Sequence, residues 1–120
     1  MFRDHLQKIV DNVDGGMAAL LMGFDGIAVE SYMADEASAD PEIQTVGMEF
    51  SFIFGQIRKA AEILEIGGIQ EFTIKSSRLI IVIRQLTDDY FAAVTLGPEG
   101  NFGKARFLLR ITAPKILQDL

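Results

Sequence analysis

Apolar and polar positions along the chain change period several times, and each change marks an element. Over residues 3–13, Leu6, Ile9, Val10 and Val13 recur at three- and four-residue spacing, which predicts an amphipathic helix. Asp4 suits its first turn, and Asp14–Gly16 stop it. "MAALLM" (17–22) has no alternation and is bounded by glycines, so it predicts a strand buried on both faces. "IAVESYM" (27–33) alternates, with Ile27, Val29 and Ser31 on one side and Ala28, Glu30 and Tyr32 on the other. Between these strands, Asp25 and Gly26 carry the hairpin signal: glycine accepts positive φ and aspartate tolerates it.

The segment "ADEASADPE" (34–42) is small, acidic and polar, as in a surface loop. Asp40 is placed to cap the next helix, with Pro41 at its first position and Glu42 in its first turn. That helix, about 42–66, turns one broad face toward a sheet: Ile43, Val46, Gly47, Phe50, Ile53, Phe54, Ile57, Ala60, Ala61 and Leu64. Its opposite face is also apolar. Met48, Phe52 and Ile63 lie there with Gly55 and Lys59, flanked by Arg58 and Glu62 on one side and Glu49 on the other. A second apolar stripe would be wet in a monomer. It points to a contact between paired helices in a symmetric dimer, with Gly55 permitting close approach. "IGG" (66–68) ends the helix.

Strands at 69–75, 78–86 and 90–96 follow, joined by short connections that require an antiparallel meander. After the loop 97–103, a last helix covers about 102–119, and Pro114 inside it should kink or divide it. The order is helix, two strands, long helix, three strands, helix. Strands apolar on both faces need helices on both sides, so the expected fold class is α+β in three layers.

Composition narrows the chemistry. The 120 residues suit one domain, and 49% apolar with 23% charged residues is an ordinary globular balance. Cysteine is absent and histidine occurs once, which leaves no structural zinc site and no thiolate chemistry. His5 lies on the polar side of the first helix and reads as a surface residue. "GPEGNFGKAR" (97–106) has glycines and a lysine before a helix, but no Ser or Thr follows Lys104, so it departs from a phosphate-binding Walker loop. Asp35, Glu36, Asp40 and Glu42 lack calcium-loop spacing. Asp88 and Asp89 serve a turn. No catalytic, cofactor or metal residues are expected, and an enzyme is not. Net charge is -6, which disfavours nucleic acid and anionic membrane as partners. Arg78, Arg84, Lys104, Arg106 and Arg110 are the pool for any local basic patch. No apolar run approaches the roughly 18 residues of a membrane span and no signal peptide is evident, so a cytoplasmic location is expected.

Three phrases are collinear with a known family: "GGMAALLMGFDGIAVE" (15–30), "DDYFAAVTL" (88–96) and "NFGKARFLLR" (101–110). The matching positions are Gly15 or Gly16 before the first strand, Asp25 and Gly26 in the hairpin, Asn101 and Gly103 before the last helix, then Lys104 and Arg106. Through them the chain resembles the Roadblock/LC7 family over residues 3–118, and looks most like bacterial MglB-related proteins. The resemblance implies a single profilin-like domain over residues 1–120. Its five-stranded antiparallel sheet would have the order 2-1-5-4-3, with two helices on one face and the long helix on the other. It also implies homodimers joined through the long helix and the second strand into a continuous ten-stranded sheet. The residues expected there are Ala28, Glu30, Tyr32, Met48, Phe52, Gly55, Lys59 and Ile63. The implied partner is a small Ras-like, MglA-like GTPase, whose own catalytic residues such proteins hold in place. Glu49, Arg58, Lys59 and Glu62 are the exposed side chains expected to meet it. MglB proteins often carry a C-terminal tail that engages the GTPase, whereas this sequence ends at Leu120. A structural adaptor like dynein light chains or lysosomal adaptor subunits is therefore the alternative.

Overall fold

The computed structural model describes residues 1–34 and 41–120. The elements are α1 (Phe2–Asp11), β1 (Gly16–Gly23), β2 (Ala28–Met33), α2 (Ile43–Leu64), β3 (Glu71–Lys75), β4 (Ile80–Gln85), β5 (Tyr90–Leu96) and α3 (Phe102–Asp119). The strands form one antiparallel sheet in the order β2-β1-β5-β4-β3, as the family resemblance implies. Its central strands are buried on both faces, so each face has its own core. On one side Ala19, Leu21, Val82 and Val94 meet Leu6, Ile9 and Val10 of α1 and Leu109 and Ile116 of α3. On the other, Leu20, Met22, Ile83 and Phe91 meet Ile43, Val46 and Phe54 of α2.

Several local expectations are revised. Helix α1 ends at Asp11, and Val13 is buried from the turn beyond it. His5 is half-buried between the two helices of its layer, with Nε2 3.4 Å from a carboxylate oxygen of Asp119. Helix α2 starts at Ile43 with Glu42 as its N-cap, so Pro41 and Glu42 precede the first turn. The proposed cap Asp40, with Asp35 and Glu36, lies outside the described residues. At the other end the C-cap is Glu65, left-handed at φ 56°, and Gly67 follows it at φ 89°. The Glu65 N–H and that of Ile66 donate to the carbonyls of Glu62 and Ala61. Pro114 does not divide α3, which is one helix from Asn101, whose side chain accepts the Lys104 N–H at 3.1 Å.

The β1–β2 hairpin shows what "GFDG" is for. Phe24, Asp25, Gly26 and Ile27 form the connection; Gly26 has φ 86°, and its N–H donates to the Gly23 carbonyl at 2.9 Å. The Asp25 carboxylate accepts the Ile27 N–H at 3.0 Å. Phe24 folds back under α2, edge-on to Phe54 with ring centroids 5.0 Å apart and tilted against Phe91 at 5.2 Å. The Phe24 N–H also donates to the Asp89 carbonyl at 2.9 Å, tying this hairpin to the β4–β5 turn. Gly15 serves the opposite end of the sheet. At φ 81° it passes the Gly100 backbone so closely that a β-carbon would stand 2.8 Å from the Gly100 α-carbon.

Candidate functional site

Helix α2 packs on β1 and β2, and its inward stripe is narrower than the pattern suggested. Ile43, Val46, Gly47, Ser51, Phe54 and Ala61 are buried, with Phe50 and Ile57 half-buried. Ile53, Ala60 and Leu64 were expected to face the sheet, but they are exposed. For Ile53 and Ala60 the reason is width: a sheet covers only the central stripe of a helix, and residues near 90° from it stay wet; Leu64 shares the phase of buried Val46 but is the last residue of the helix. The apolar surface left outside is correspondingly larger. Phe52 is 69% exposed, Ile63 75% and Met48 58%, joined by Ile53 and Leu64. Gly55 lies within this stripe, and a β-carbon there would meet nothing within 4 Å.

Helix α2 also contacts β2, an edge of the sheet. The strand's alternation is broken by a bulge: Met22 pairs with Ala28, but Leu21 pairs with Glu30. Directly paired residues share a face, so Ala28 turns to the α2 side while Glu30 and Tyr32 turn to the α1 side. The expected common face of Ala28, Glu30 and Tyr32 does not exist. Tyr32 is half-covered by α1; its hydroxyl donates to Asp11 at 3.3 Å, and the Arg3 guanidinium stands 5.4 Å from its ring. Burial and the Asp11 carboxylate raise the Tyr32 pKa, with Arg3 opposing. The Glu30 carboxylate accepts the Ser31 N–H at 3.0 Å. What β2 offers outward is its backbone. No described residue pairs with its outer edge, and such an edge is a template for another strand.

The four side chains expected to meet a GTPase separate into two groups. Arg58 and Glu62 line a groove of about 510 Å³ between the C-terminal half of α2 and the β4–β5 turn, together with Glu65, Gln85 and Asp88. Arg58 is held there, its guanidinium 4.1 Å from the Phe24 ring centroid, a cation–π distance. Glu49 and Lys59 are exposed and do not line the groove. Gln85 and Asp88 escaped sequence reading because only the tertiary fold brings their turn to α2. Among the described residues, no group of three His, Cys, Asp or Glu is arranged to hold a metal ion, and no helix is long and apolar enough to cross a membrane.

The fold recurs in solved structures. MglC from Myxococcus xanthus is 40% identical, covering 99% of this chain and 98% of its own, with a TM-score of 0.71. The chain belongs to the Roadblock/LC7 family. A Roadblock/LC7 domain from Streptomyces avermitilis shares the fold at 14% identity and a TM-score of 0.82, over 97% of this chain and 94% of that one. MglB in a tetrameric arrangement does so at 16% identity and 0.85, over 96% and 84%. No protein-family profile and no curated protein sequence matches the chain. Within the family fold, the wet side of α2 and the open edge of β2 are among the features the monomer's own packing leaves unused.

Proposed function

We propose that this chain is a roadblock-type regulator or adaptor that works as a homodimer on a small Ras-like GTPase of the MglA-like kind, in the cytoplasm. One observation carries the reading: a broad apolar stripe on α2, including Phe52 and Ile63, stays exposed on the helix that packs over β2, whose outer edge is unpaired. Helix pairing would cover the stripe, and strand pairing would satisfy the edge, in one symmetric contact. The 40% identity to MglC supports the family setting. The chain contributes no reacting groups in this reading. It would bias the partner's switch segments toward the hydrolysis-competent arrangement, so that positioning and not side-chain chemistry sets the rate. The groove holding Arg58 and Glu62 is next to α2 and supplies both signs of charge for orienting that partner.

The test is capture from source-cell lysate with tagged protein, run in parallel with a GTP analogue and with GDP, followed by single-turnover hydrolysis. A small GTPase retained with the analogue and hydrolysing faster in the presence of the dimer is the expected outcome. Nucleotide-indifferent capture with no change in hydrolysis would replace the regulator with a plain adaptor.

A further inference from the structure

The opposite edge of the sheet is built differently. Strand β3 pairs only with β4, and its outer side makes no backbone hydrogen bond to any described residue. Its side chains divide by alternation. Phe72 and Ile74 turn to the α2 layer, where Phe72 stacks edge-on to Phe54 at 4.9 Å. Glu71, Thr73 and Lys75 turn to the α3 layer, because Glu71, paired with Arg84, accepts from Arg106 of α3.

On that side a groove of about 390 Å³ separates β3 from α3 and collects three arginines, Arg84, Arg106 and Arg110, around one carboxylate, Glu71. Arg84 Nη1 donates to one Glu71 oxygen at 3.0 Å, and Arg106 grips the other through Nε, at 2.8 Å, and Nη2. Three cations against one anion leave a local formal charge of +2 on a chain whose net charge is -6. Arg110 has no ion pair among the described residues; its guanidinium lies 5.6 Å from the ring centroid of Phe107, which is itself 49% exposed. Lys75, at the end of β3, lies over Phe102 at 4.8 Å and likewise has no carboxylate partner there.

We propose that the β3 edge is a second docking site, which takes an extended protein segment alternating acidic and apolar residues. A strand added to β3 would drop every second side chain toward Arg110 and Lys75, and the others beside Phe72 and Ile74. Acidic residues on the first set and apolar ones on the second complement those two sides. Backbone groups at strand spacing complement the open edge. An isolated anion would satisfy only the arginines, and a long polyanion would meet the repulsion of the acidic molecule. The site is at the far edge from β2, so a dimer formed through β2 leaves it accessible.

The experiment is fluorescence anisotropy on the full chain with a labelled short peptide alternating glutamate and valine. Controls are its glutamine–valine counterpart and a version with alternate backbone nitrogens methylated. The glutamate peptide is expected to bind about tenfold more tightly than either control, and Arg110→Glu to cost about tenfold while leaving the thermal midpoint in place. Arg110 is exposed and makes no ion pair among the described residues, so this variant separates binding from folding. Equal binding of glutamate and glutamine peptides, no effect of Arg110→Glu, or no effect of backbone methylation would each overturn the proposal. So would complete displacement of the peptide by millimolar inorganic phosphate, which would mark an anion site without strand addition.

Discussion

Replacing Phe52 by aspartate isolates the outward face of α2 from the fold itself. Phe52 keeps 69% of its surface in solvent and touches neither core, so the monomer should change by no more than about 0.5 kcal/mol. A dimer contact would respond much more. Full burial of a phenylalanine contributes about 3 kcal/mol at the upper end, so covering the exposed portion is worth ~2 kcal/mol per copy. An isologous contact uses each residue twice, which brings the loss to ~4 kcal/mol, roughly a thousandfold in the dissociation constant. Desolvating two carboxylates would add to it. Sedimentation velocity over a dilution series measures this directly, and a thermal melt of each protein controls for folding. The expected result is a wild-type dimer and a folded, monomeric F52D. A wild type that remains monomeric at high concentration would refute the reasoning. So would an F52D dimer whose dissociation constant lies within about tenfold of wild type.

Gly55→Ala tests the same face from the opposite direction. With open space around the new methyl, a monomeric F52D background should gain ~1 kcal/mol from helix propensity, whereas the dimer should loosen as the approaching helix is pushed away; urea unfolding and dilution sedimentation read the two effects, and equal stabilisation of both species would deny the close approach. Phe54→Ala should cost about 3–5 kcal/mol in urea unfolding, because Phe54 is 0% exposed and its ring meets Phe24, Phe72 and Phe91; a loss under ~1 kcal/mol would mean that α2 is not anchored as described. Tyr32 should titrate above the usual 10.0, since partial burial and Asp11 favour the neutral phenol. The stability from that preference is complete below the unfolded tyrosine value and is lost as pH rises through the higher folded value. Ultraviolet titration should therefore show a delayed phenol phase, and Tyr32→Phe should remove that phase.

Much of the architecture was legible from local pattern. Each strand and helix stands within a few residues of where its periodicity placed it, and strand order followed from the family phrases. The wet side of α2 was legible for the same reason: Met48, Phe52 and Ile63 are out of phase with Val46, Phe54 and Ala61 on any regular helix. Phase about an element's own axis is a property of the sequence. How wide a stripe the neighbouring layer covers is not, and that decided the exposure of Ile53 and Ala60. Nor does local pattern reveal a bulge that inserts one residue between paired positions. That bulge sent Ala28 to one layer and Tyr32 to the other. The groove at β3 depended most on the tertiary fold. Arg106 and Glu71 are 35 positions apart, and only antiparallel pairing of β3 with β4, with α3 laid alongside, brings Arg84, Arg106 and Arg110 around one carboxylate. The sequence determined which basic residues were available; chain topology determined that they act together.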